Sequence, residues 1–223
     1  VLDLGSTTFH LQHFGCEAAL GAAPPQQPGK LTSVLDAKRS ICLGAQVFVD
    51  GYIDAESWQR ALVAVAELLA LSDGRGRTEL ALVATSAIRS ARNGADFVQE
   101  LEQRHGCRVR VLAPGEEARL AYLGQLTAPV VAGRRVVAID LGGGSLELAV
   151  GDRSEPAHAE SLPLGAVRMR VCEAAASFGV AQAQALNVFL RDQLAAPLAL
   201  VRRHAPEPVL FRSGSARAAR KLL

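Results

Sequence analysis

A glycine-rich turn between two acidic residues carries the clearest chemical signal in this sequence. Residues 136–150 read V-V-A-I-D-L-G-G-G-S-L-E-L-A-V, which predicts a strand, a turn and a second strand. Asp140 precedes the turn and Glu147 follows it. The successive glycines leave the backbone without side chains, so a ligand can approach its N–H groups closely. Successive N–H groups in such a turn favour anions, phosphate above all.

The two carboxylates beside this turn need a further explanation, because they repel phosphate. A hard cation between the carboxylates and the phosphate oxygens removes that conflict. The structural alternative is an ordinary hairpin, in which the glycines only permit the turn. Residues 1–11 favour a binding role, because they repeat the order of apolar strand, D-L-G, small hydroxyl residues and apolar strand. Two such turns in equivalent places predict an internal duplication whose loops face each other.

Alternating strands and helices are predicted between and after the two turns. Apolar periodicity identifies them, and capping residues mark the ends of several helices. Their order is typical of an α/β layer with a largely parallel sheet. The second half ends one strand and one helix short of the first, so we expect a C-terminally truncated chain. The predicted strands lie at 40–43, 80–85, 109–112, 157–162 and 208–211, and the predicted helices at 54–71, 96–105, 116–126, 166–177, 181–203 and from 216 onward.

The composition limits the class of protein. With 223 residues, of which 49% are hydrophobic and 21% charged, the chain can form one large domain or two small ones. It contains no apolar run near the roughly 20 residues of a membrane span and no signal-peptide pattern, so we predict a cytoplasmic location. The cysteines lack the spacing of a zinc site or of a disulfide framework. No motif for nucleic-acid binding occurs, so neither nucleic acid nor membrane is an expected partner.

Three further stretches place polar residues where strands and helices meet. A-T-S-A-I-R, at 84–89, puts hydroxyl groups and Arg89 just past a predicted strand, where open α/β sheets bind ligands. G-E-E-A-R-L-A-Y, at 115–122, puts Glu117 in the first turn of a helix, where compensation of the helix dipole is the structural alternative. S-L-P-L-G-A-V-R, at 161–168, forms another strand-to-helix turn with an arginine.

Together with the two D-L-G turns, these stretches closely resemble the Ppx/GppA family of exopolyphosphatases and guanosine pentaphosphate phosphatases. D-L-G-S, A-T-S-A-I-R, G-E-E-A-R-L-A-Y, D-L-G-G-G-S-L-E and S-L-P-L-G-A-V-R follow one another in the family's order along nearly the whole chain. The family belongs to the actin/Hsp70/sugar-kinase superfamily. The resemblance therefore implies an α/β fold of two duplicated ribonuclease H-like domains, at 1–126 and 127–223, with a cleft between them and the second domain incomplete.

The resemblance implies hydrolysis of the terminal phosphoanhydride bond of inorganic polyphosphate, or of the γ-phosphate of pppGpp in the stringent response, with Mg²⁺ or Mn²⁺. Glu117 would activate the attacking water, and Glu147 would assist it. Asp3 and Asp140 would organise the metal and its waters. A carboxylate that faces a polyanion should have a raised pKa, which suits a general base. The implied phosphate ligands are Gly5, Ser6, Thr7, Arg89, Gly142, Gly143, Gly144 and Ser145.

Two alternatives to hydrolysis stay open. A non-catalytic member would bind (p)ppGpp or polyphosphate as a regulator, although the retention of Glu117 and Glu147 argues against this. An ATPase or kinase of the same superfamily is the other, because the D-L-G turns also resemble those of Hsp70. Polyphosphate and pppGpp end in the same phosphoanhydride, so both stay open as substrates, and a homodimer is among the expected assemblies. Two departures from the family's usual sequence predict an altered substrate affinity. Residues 42–44 read C-L-G where the family often has R-L-G, and residues 212–215 read R-S-G-S.

Overall fold

The chain forms two compact units in a computed structural model. The first comprises Val1–Val47 and Gly51–Val111, and the second comprises Phe48–Asp50 and Leu112–Leu223. The predicted helix from residue 216 lies outside the described residues. The structure describes residues 1–16, 31–72, 79–126, 134–152, 155–172, 179–207 and 209–213.

The first unit contains, among its described residues, a five-stranded sheet. Its strands are β1 (Leu2–Leu4), β2 (Thr8–Cys16), β3 (Leu31–Ser40), β4 (Leu82–Ala84) and β5 (Val109–Val111), and the helices of this part of the chain are α1 (Leu43–Asp50), α2 (Ala55–Ala70), α3 (Ser86–Ser90) and α4 (Gly94–His105). The strand order is β3-β2-β1-β4-β5. Leu2, Leu4, Phe9 and Leu11 are almost fully buried, as the alternating pattern of the opening hairpin predicts.

Capping residues set the ends of two helices, as predicted. Asp54 precedes α2, and its carboxylate accepts a hydrogen bond from the N–H of Ser57 at 2.9 Å. α4 ends at Gly106, whose φ of 61° lies in the left-handed region that favours glycine. Both helix ends therefore follow from the local residue types, a capping carboxylate at Asp54 and the backbone freedom of Gly106.

The predicted strand at 40–43 is wrong, because the chain leaves the sheet there and turns into α1. Cys42 has a left-handed backbone with a φ of 56°. The N–H groups of Ile41 and Cys42 both donate to the carbonyl oxygen of Thr7, each at 2.9 Å. Ile41 and Leu43 are buried in this turn, which explains the apolar pattern that favoured a strand.

The second unit contains a four-stranded sheet among its described residues. Its elements are α5 (Pro114–Gln125), β6 (Val136–Leu141), β7 (Leu146–Gly151), β8 (His158–Leu162), α6 (Ala166–Cys172), α7 (Val180–Arg203) and β9 (Val209–Arg212). The strand order β8-β7-β6-β9 matches β3-β2-β1-β4 of the first sheet. In both sets of four matching strands the first two pairs are antiparallel and the third is parallel. This topology confirms the predicted α/β fold with an internal duplication.

Helices cover both faces of the second sheet. On one face, Tyr122 of α5 packs with Ala138 and Ala149. On the other face, Val201 of α7 packs with Val150. The alternation of side chains along β6 and β7 therefore separates an α5 face from an α7 face.

Helix α5 belongs to the second packed unit, because it contacts β6, β7 and β8. The domain boundary implied by the family resemblance places the same helix in the first domain, residues 1–126. The division of the chain into domains at residue 126 stays a prediction.

Helix α7 is long and largely exposed, and Val180, Val188 and Phe189 are among its exposed side chains. It spans 24 residues, of which Pro197 and Val201 are buried. Most of its other side chains are exposed or half-buried. Within the part of the chain that the structure describes, no helix combines the length and the apolar character needed to cross a bilayer.

Candidate active site

A row of polar residues crosses the second sheet at the end of its apolar face. Asp140 on β6 lies opposite Glu147 on β7, which lies opposite Ser161 on β8. On the other side, Asp140 is in register with Arg212 on β9. Residues opposite each other on neighbouring strands project from the same face of a sheet. The row lies two positions beyond Ala138 along β6 and therefore projects on the α5 face.

Glu147 is the buried carboxyl of this row, with 5% of its surface exposed. Ser161 Oγ donates a hydrogen bond to Glu147 Oε1 at 2.8 Å. Burial raises the pKa of Glu147 to about 7, and repulsion by Glu117 and by Asp140 adds to this effect. The hydrogen bonds from Ser145 and Ser161 oppose it. This carboxyl can therefore gain or lose a proton near neutral pH.

Glu117 lies in the first turn of α5, which begins at Pro114. The N-terminal turn of a helix stabilises a negative charge. Glu117 Oε1 lies 3.5 Å from the hydroxyl oxygen of Ser145, which also hydrogen-bonds Glu147. One hydroxyl has one proton, so Ser145 can donate to only one of these carboxylates at a time. The structure thus brings the predicted catalytic pair together around Ser145.

Two contacts fix α5 on the sheet and thereby place Glu117. Tyr122 is fully buried, and a Cβ on Gly151 would lie 2.6 Å from its hydroxyl oxygen, so glycine is needed there. Arg119 forms two hydrogen bonds with the carboxylate of Glu155, one of them from Nε at 2.6 Å. Glu155 lies between β7 and β8. The ion pair therefore ties the helix to the hairpin of the polar row.

The carbonyl groups of the glycine turn all accept hydrogen bonds from the start of α6. One of the donors is a side chain, since Arg168 Nε donates to the Gly144 oxygen at 2.9 Å. The backbone bonds run from Ala166 N–H to Gly142 O (2.9 Å), from Val167 N–H to Gly143 O (2.9 Å) and from Arg168 N–H to Gly143 O (3.1 Å).

The N–H groups of the turn point in the opposite direction. A trans peptide holds the C=O of one residue antiparallel to the N–H of the next, and the described residues contain no cis peptide bond. The N–H groups of Gly143, Gly144 and Ser145 therefore point away from α6. No carbonyl of a described residue accepts a hydrogen bond from the N–H of Gly143 or Gly144. This is the arrangement that an anion-binding turn requires.

The first unit builds the equivalent turn from Gly5, Ser6 and Thr7. A Cβ on Gly5 would lie only 2.8 Å from the Thr8 carbonyl oxygen, so the tight turn requires glycine. Ser6 is buried, and its carbonyl oxygen accepts a hydrogen bond from Gly44 N–H at 2.7 Å. Three predicted phosphate ligands thus lie in one turn, and their binding role stays a prediction.

Asp3 and Arg89 lie at the same edge of the first sheet as this turn. Asp3 is in β1, just before the turn, and Arg89 is in α3, just past the parallel strand β4. The N–H of Thr85 donates to the carbonyl oxygen of Leu4 at 3.4 Å. The stretches D-L-G-S and A-T-S-A-I-R therefore meet at the carboxyl ends of two parallel strands, where α/β sheets bind ligands.

Asp140 and Glu147 are the side chains of the polar row that suit a hard cation. Mg²⁺ takes oxygen ligands, often one or two carboxylates together with water and substrate phosphates. A cation beside this pair would oppose the repulsion that helps to raise the pKa of Glu147. Among the described residues, no three His, Cys, Asp or Glu side chains form a preformed metal-binding group. Metal binding by Asp3 and Asp140 stays a prediction.

The predicted set of site residues omits Ser161, Gly165 and Arg168. All three belong to S-L-P-L-G-A-V-R, which the sequence singles out without a role for each residue. Ser161 could be found by pairing β7 with β8 in the correct register, which places it beside Glu147. The bond from Arg168 to a backbone carbonyl has no comparable signal, because it depends on how α6 packs.

Comparison with known proteins gives a match over most of the chain. A model described as the Ppx/GppA phosphatase family matches residues 25–219. Exopolyphosphatase 1 of Mycobacterium leprae is 32% identical over 169 residues, which are 76% of this chain and 47% of that protein. Exopolyphosphatase 1 of Mycobacterium tuberculosis is 31% identical over 169 residues, or 76% and 46% of the two chains. The chain thus spans about half the length of the curated relatives it matches.

Solved structures share the fold. The crystal structure of an exopolyphosphatase from Cytophaga hutchinsonii has a TM-score of 0.85 at 21% identity, over 96% of this chain and 65% of that chain. The structure of the Aquifex aeolicus member of the Ppx/GppA protein family has a TM-score of 0.68 at 26% identity, over 87% and 60% of the two chains. These similarities agree with the duplicated α/β topology of the two sheets.

Proposed function

Since the chain belongs to the Ppx/GppA phosphatase family, we propose that the protein hydrolyses the terminal phosphoanhydride bond of inorganic polyphosphate. The relatives named exopolyphosphatase support this substrate. The observation that carries the proposal is the position of Glu117 and Glu147 around Ser145, at the end of the glycine turn. Two carboxylates at the end of an anion-binding turn are suited to activating water beside a bound phosphate.

In the proposed reaction the glycine turn holds a phosphate group of the substrate. The N–H groups of Gly143, Gly144 and Ser145 point away from α6 and can donate to phosphate oxygens. Phosphoryl transfer depends mainly on positioning and on stabilising charge. A backbone turn serves this purpose because its dipoles are fixed before the substrate binds.

Glu117 is proposed to orient the attacking water and to accept its proton. The water oxygen bonds to the terminal phosphorus, and the bond from phosphorus to the bridging oxygen breaks, so the shortened polyphosphate leaves with that oxygen. With a pKa of about 7, Glu147 is neutral in a large share of molecules near neutral pH. A neutral Glu147 does not repel a charged Glu117. Two neighbouring carboxyls in unlike environments can thereby divide the roles of base and assisting group.

Mg²⁺ is proposed as the cation, with Asp140 as the residue of the second unit that would hold it. When bound, it would neutralise charge on the phosphate oxygens. A cation beside Asp140 would also oppose the repulsion between Asp140 and Glu147. pppGpp is the second proposed substrate, because it ends in the same phosphoanhydride.

The test is Mg²⁺-dependent phosphate release by the full-length protein from long-chain polyphosphate and from pppGpp in parallel. Glu117→Gln should lower turnover by about a hundredfold or more, the size typical of a lost general base, and should leave substrate binding largely intact. Glu116→Gln is the matched control, because it neutralises the adjacent carboxylate in the same helical turn.

Each outcome has a distinct meaning. Undiminished release by Glu117→Gln would remove Glu117 from the mechanism. If the unchanged protein binds the substrate but releases no phosphate, the result would favour a non-catalytic regulator. Transfer that requires ATP as the phosphate donor would favour a kinase.

A further inference from the structure

We propose that Arg168 is a positioning residue that holds the glycine turn in its phosphate-binding form. Arg168 Nε donates to the Gly144 carbonyl oxygen at 2.9 Å. The peptide that contains this carbonyl also contains the N–H of Ser145, which points the opposite way. Holding the carbonyl therefore aims that N–H at a phosphate. The inference rests on the proposed function, because it assigns Arg168 to the same site.

In the equivalent turn of the first unit, hydrogen bonds also hold the carbonyl of the third turn residue. Both hairpins leave four turn residues between their last paired positions, at 5–8 and at 142–145. The third of them is Thr7 in the first unit, and its carbonyl oxygen accepts two backbone hydrogen bonds at 2.9 Å. In the second unit the third residue is Gly144. There the backbone N–H groups of α6 bind the two preceding carbonyls, and the Arg168 side chain binds the third.

Gly165 brings the same segment into direct contact with the turn. A Cβ at Gly165 would lie 2.3 Å from both Gly144 C and Ser145 N. Only glycine allows this approach. The peptide between Gly144 and Ser145 is therefore restrained by packing from Gly165 and by the hydrogen bond from Arg168.

Arg168 acts through the backbone rather than by contact with phosphate. Its Nε lies on the carbonyl side of the turn, whereas the N–H groups of Gly143, Gly144 and Ser145 point away from it. Loss of Arg168 should therefore loosen the turn even without a ligand. Arg170, in the same helix, is exposed and offers a control with an identical change of charge.

The first measurement is binding of tripolyphosphate to the full-length protein with Glu117→Gln, so that the probe is not consumed. Arg168→Met should weaken binding about tenfold, the size typical of a lost hydrogen bond from a charged group. Arg170→Met should keep the affinity within about twofold, because an exposed charge is well screened. Arg168→Lys, which keeps the charge and a donor, should recover part of the lost affinity.

The second measurement needs no ligand. The ¹⁵N order parameters of the Gly143, Gly144 and Ser145 amides should be lower in Arg168→Met than in Arg170→Met. If the Glu117→Gln protein with Arg168 intact does not bind tripolyphosphate, the proposed function fails, and the order parameters still decide the role of Arg168. Equal affinities and equal order parameters in the two Met variants would overturn that role. Should Arg168→Met not fold, Arg168→Lys takes its place in both measurements, and results equal to those of Arg170→Met would then overturn it.

Discussion

Replacing Glu147 by Gln should stabilise the protein at alkaline pH, and this gain should disappear in acid. The buried carboxyl has a pKa of about 7 in the folded protein, against 4.5 for an ordinary glutamate. Between these values the folded protein keeps the proton that the unfolded chain releases. The free energy of unfolding therefore falls as the pH rises through this range. Glutamine is neutral at every pH in this range, so the free energy of unfolding of the variant does not fall in this way.

The magnitude follows from the two pKa values. Their difference, about 7 minus 4.5, corresponds to about 3 kcal/mol at 1.36 kcal/mol for each unit. Solvent screening takes little from this figure, because Glu147 is 5% exposed. Burial is the largest cause, and repulsion by Glu117 is the next. Glu117→Gln should therefore move the transition to lower pH.

The assay is urea unfolding followed by circular dichroism at several pH values between about 5 and about 8, with EDTA present and phosphate absent. A chelator is needed because a bound cation would stabilise the charged carboxyl. Glu56→Gln is the control, since its side chain is 81% exposed. A difference between Glu147→Gln and the unchanged protein that stays constant across this range would refute the reasoning. It would mean that burial does not perturb this carboxyl.

Three further changes test how the site is placed. Gly151→Ala should lower the free energy of unfolding by about 1–3 kcal/mol, because the added Cβ would lie 2.6 Å from the Tyr122 hydroxyl oxygen; unchanged urea unfolding would mean that α5 shifts without strain. Glu155→Gln should lower stability at neutral pH, because the bond to Arg119 holds the pKa of Glu155 below its ordinary value. That loss should vanish as the pH falls through the lowered pKa, and a loss that is independent of pH would exclude the ion pair as its cause. Gly143→Val should abolish tripolyphosphate binding by placing a side chain in the turn, and calorimetry that finds undiminished binding would make the turn purely structural.

The sequence predicted those features that depend on neighbouring residues. The glycine turn after Asp140 and the helix start at Asp54 follow from backbone freedom and from capping, which are local. The duplication was visible because the two hairpins share a pattern of strand, D-L-G and strand, and their equal turn lengths support it. Local chemistry therefore sufficed for the fold class and for the polar ends of the central strands.

The remaining features depend on contacts between distant residues. Apolar residues at 40–43 favoured a strand, but the carbonyl of Thr7 draws the chain out of the sheet. The burial that raises the pKa of Glu147 arises only when α5 packs on the second sheet, and the room for that packing comes from Gly151. Ser161 and Arg168 likewise gain their roles from register and from packing. No pattern within a single segment contains this information.

Comparison of the two duplicated hairpins also indicates which unit is better suited to proton transfer. Both hairpins place an aspartate opposite a titratable residue, since Asp3 faces His10 and Asp140 faces Glu147. His10 hydrogen-bonds Asp36, whose side chain is 50% exposed, so water screens that pair. Glu147 is buried, and its proton therefore depends on neighbouring protein groups rather than on solvent. Phosphate binding is predicted for both turns, whereas this difference in burial supports assigning the proposed acid–base step to the second unit.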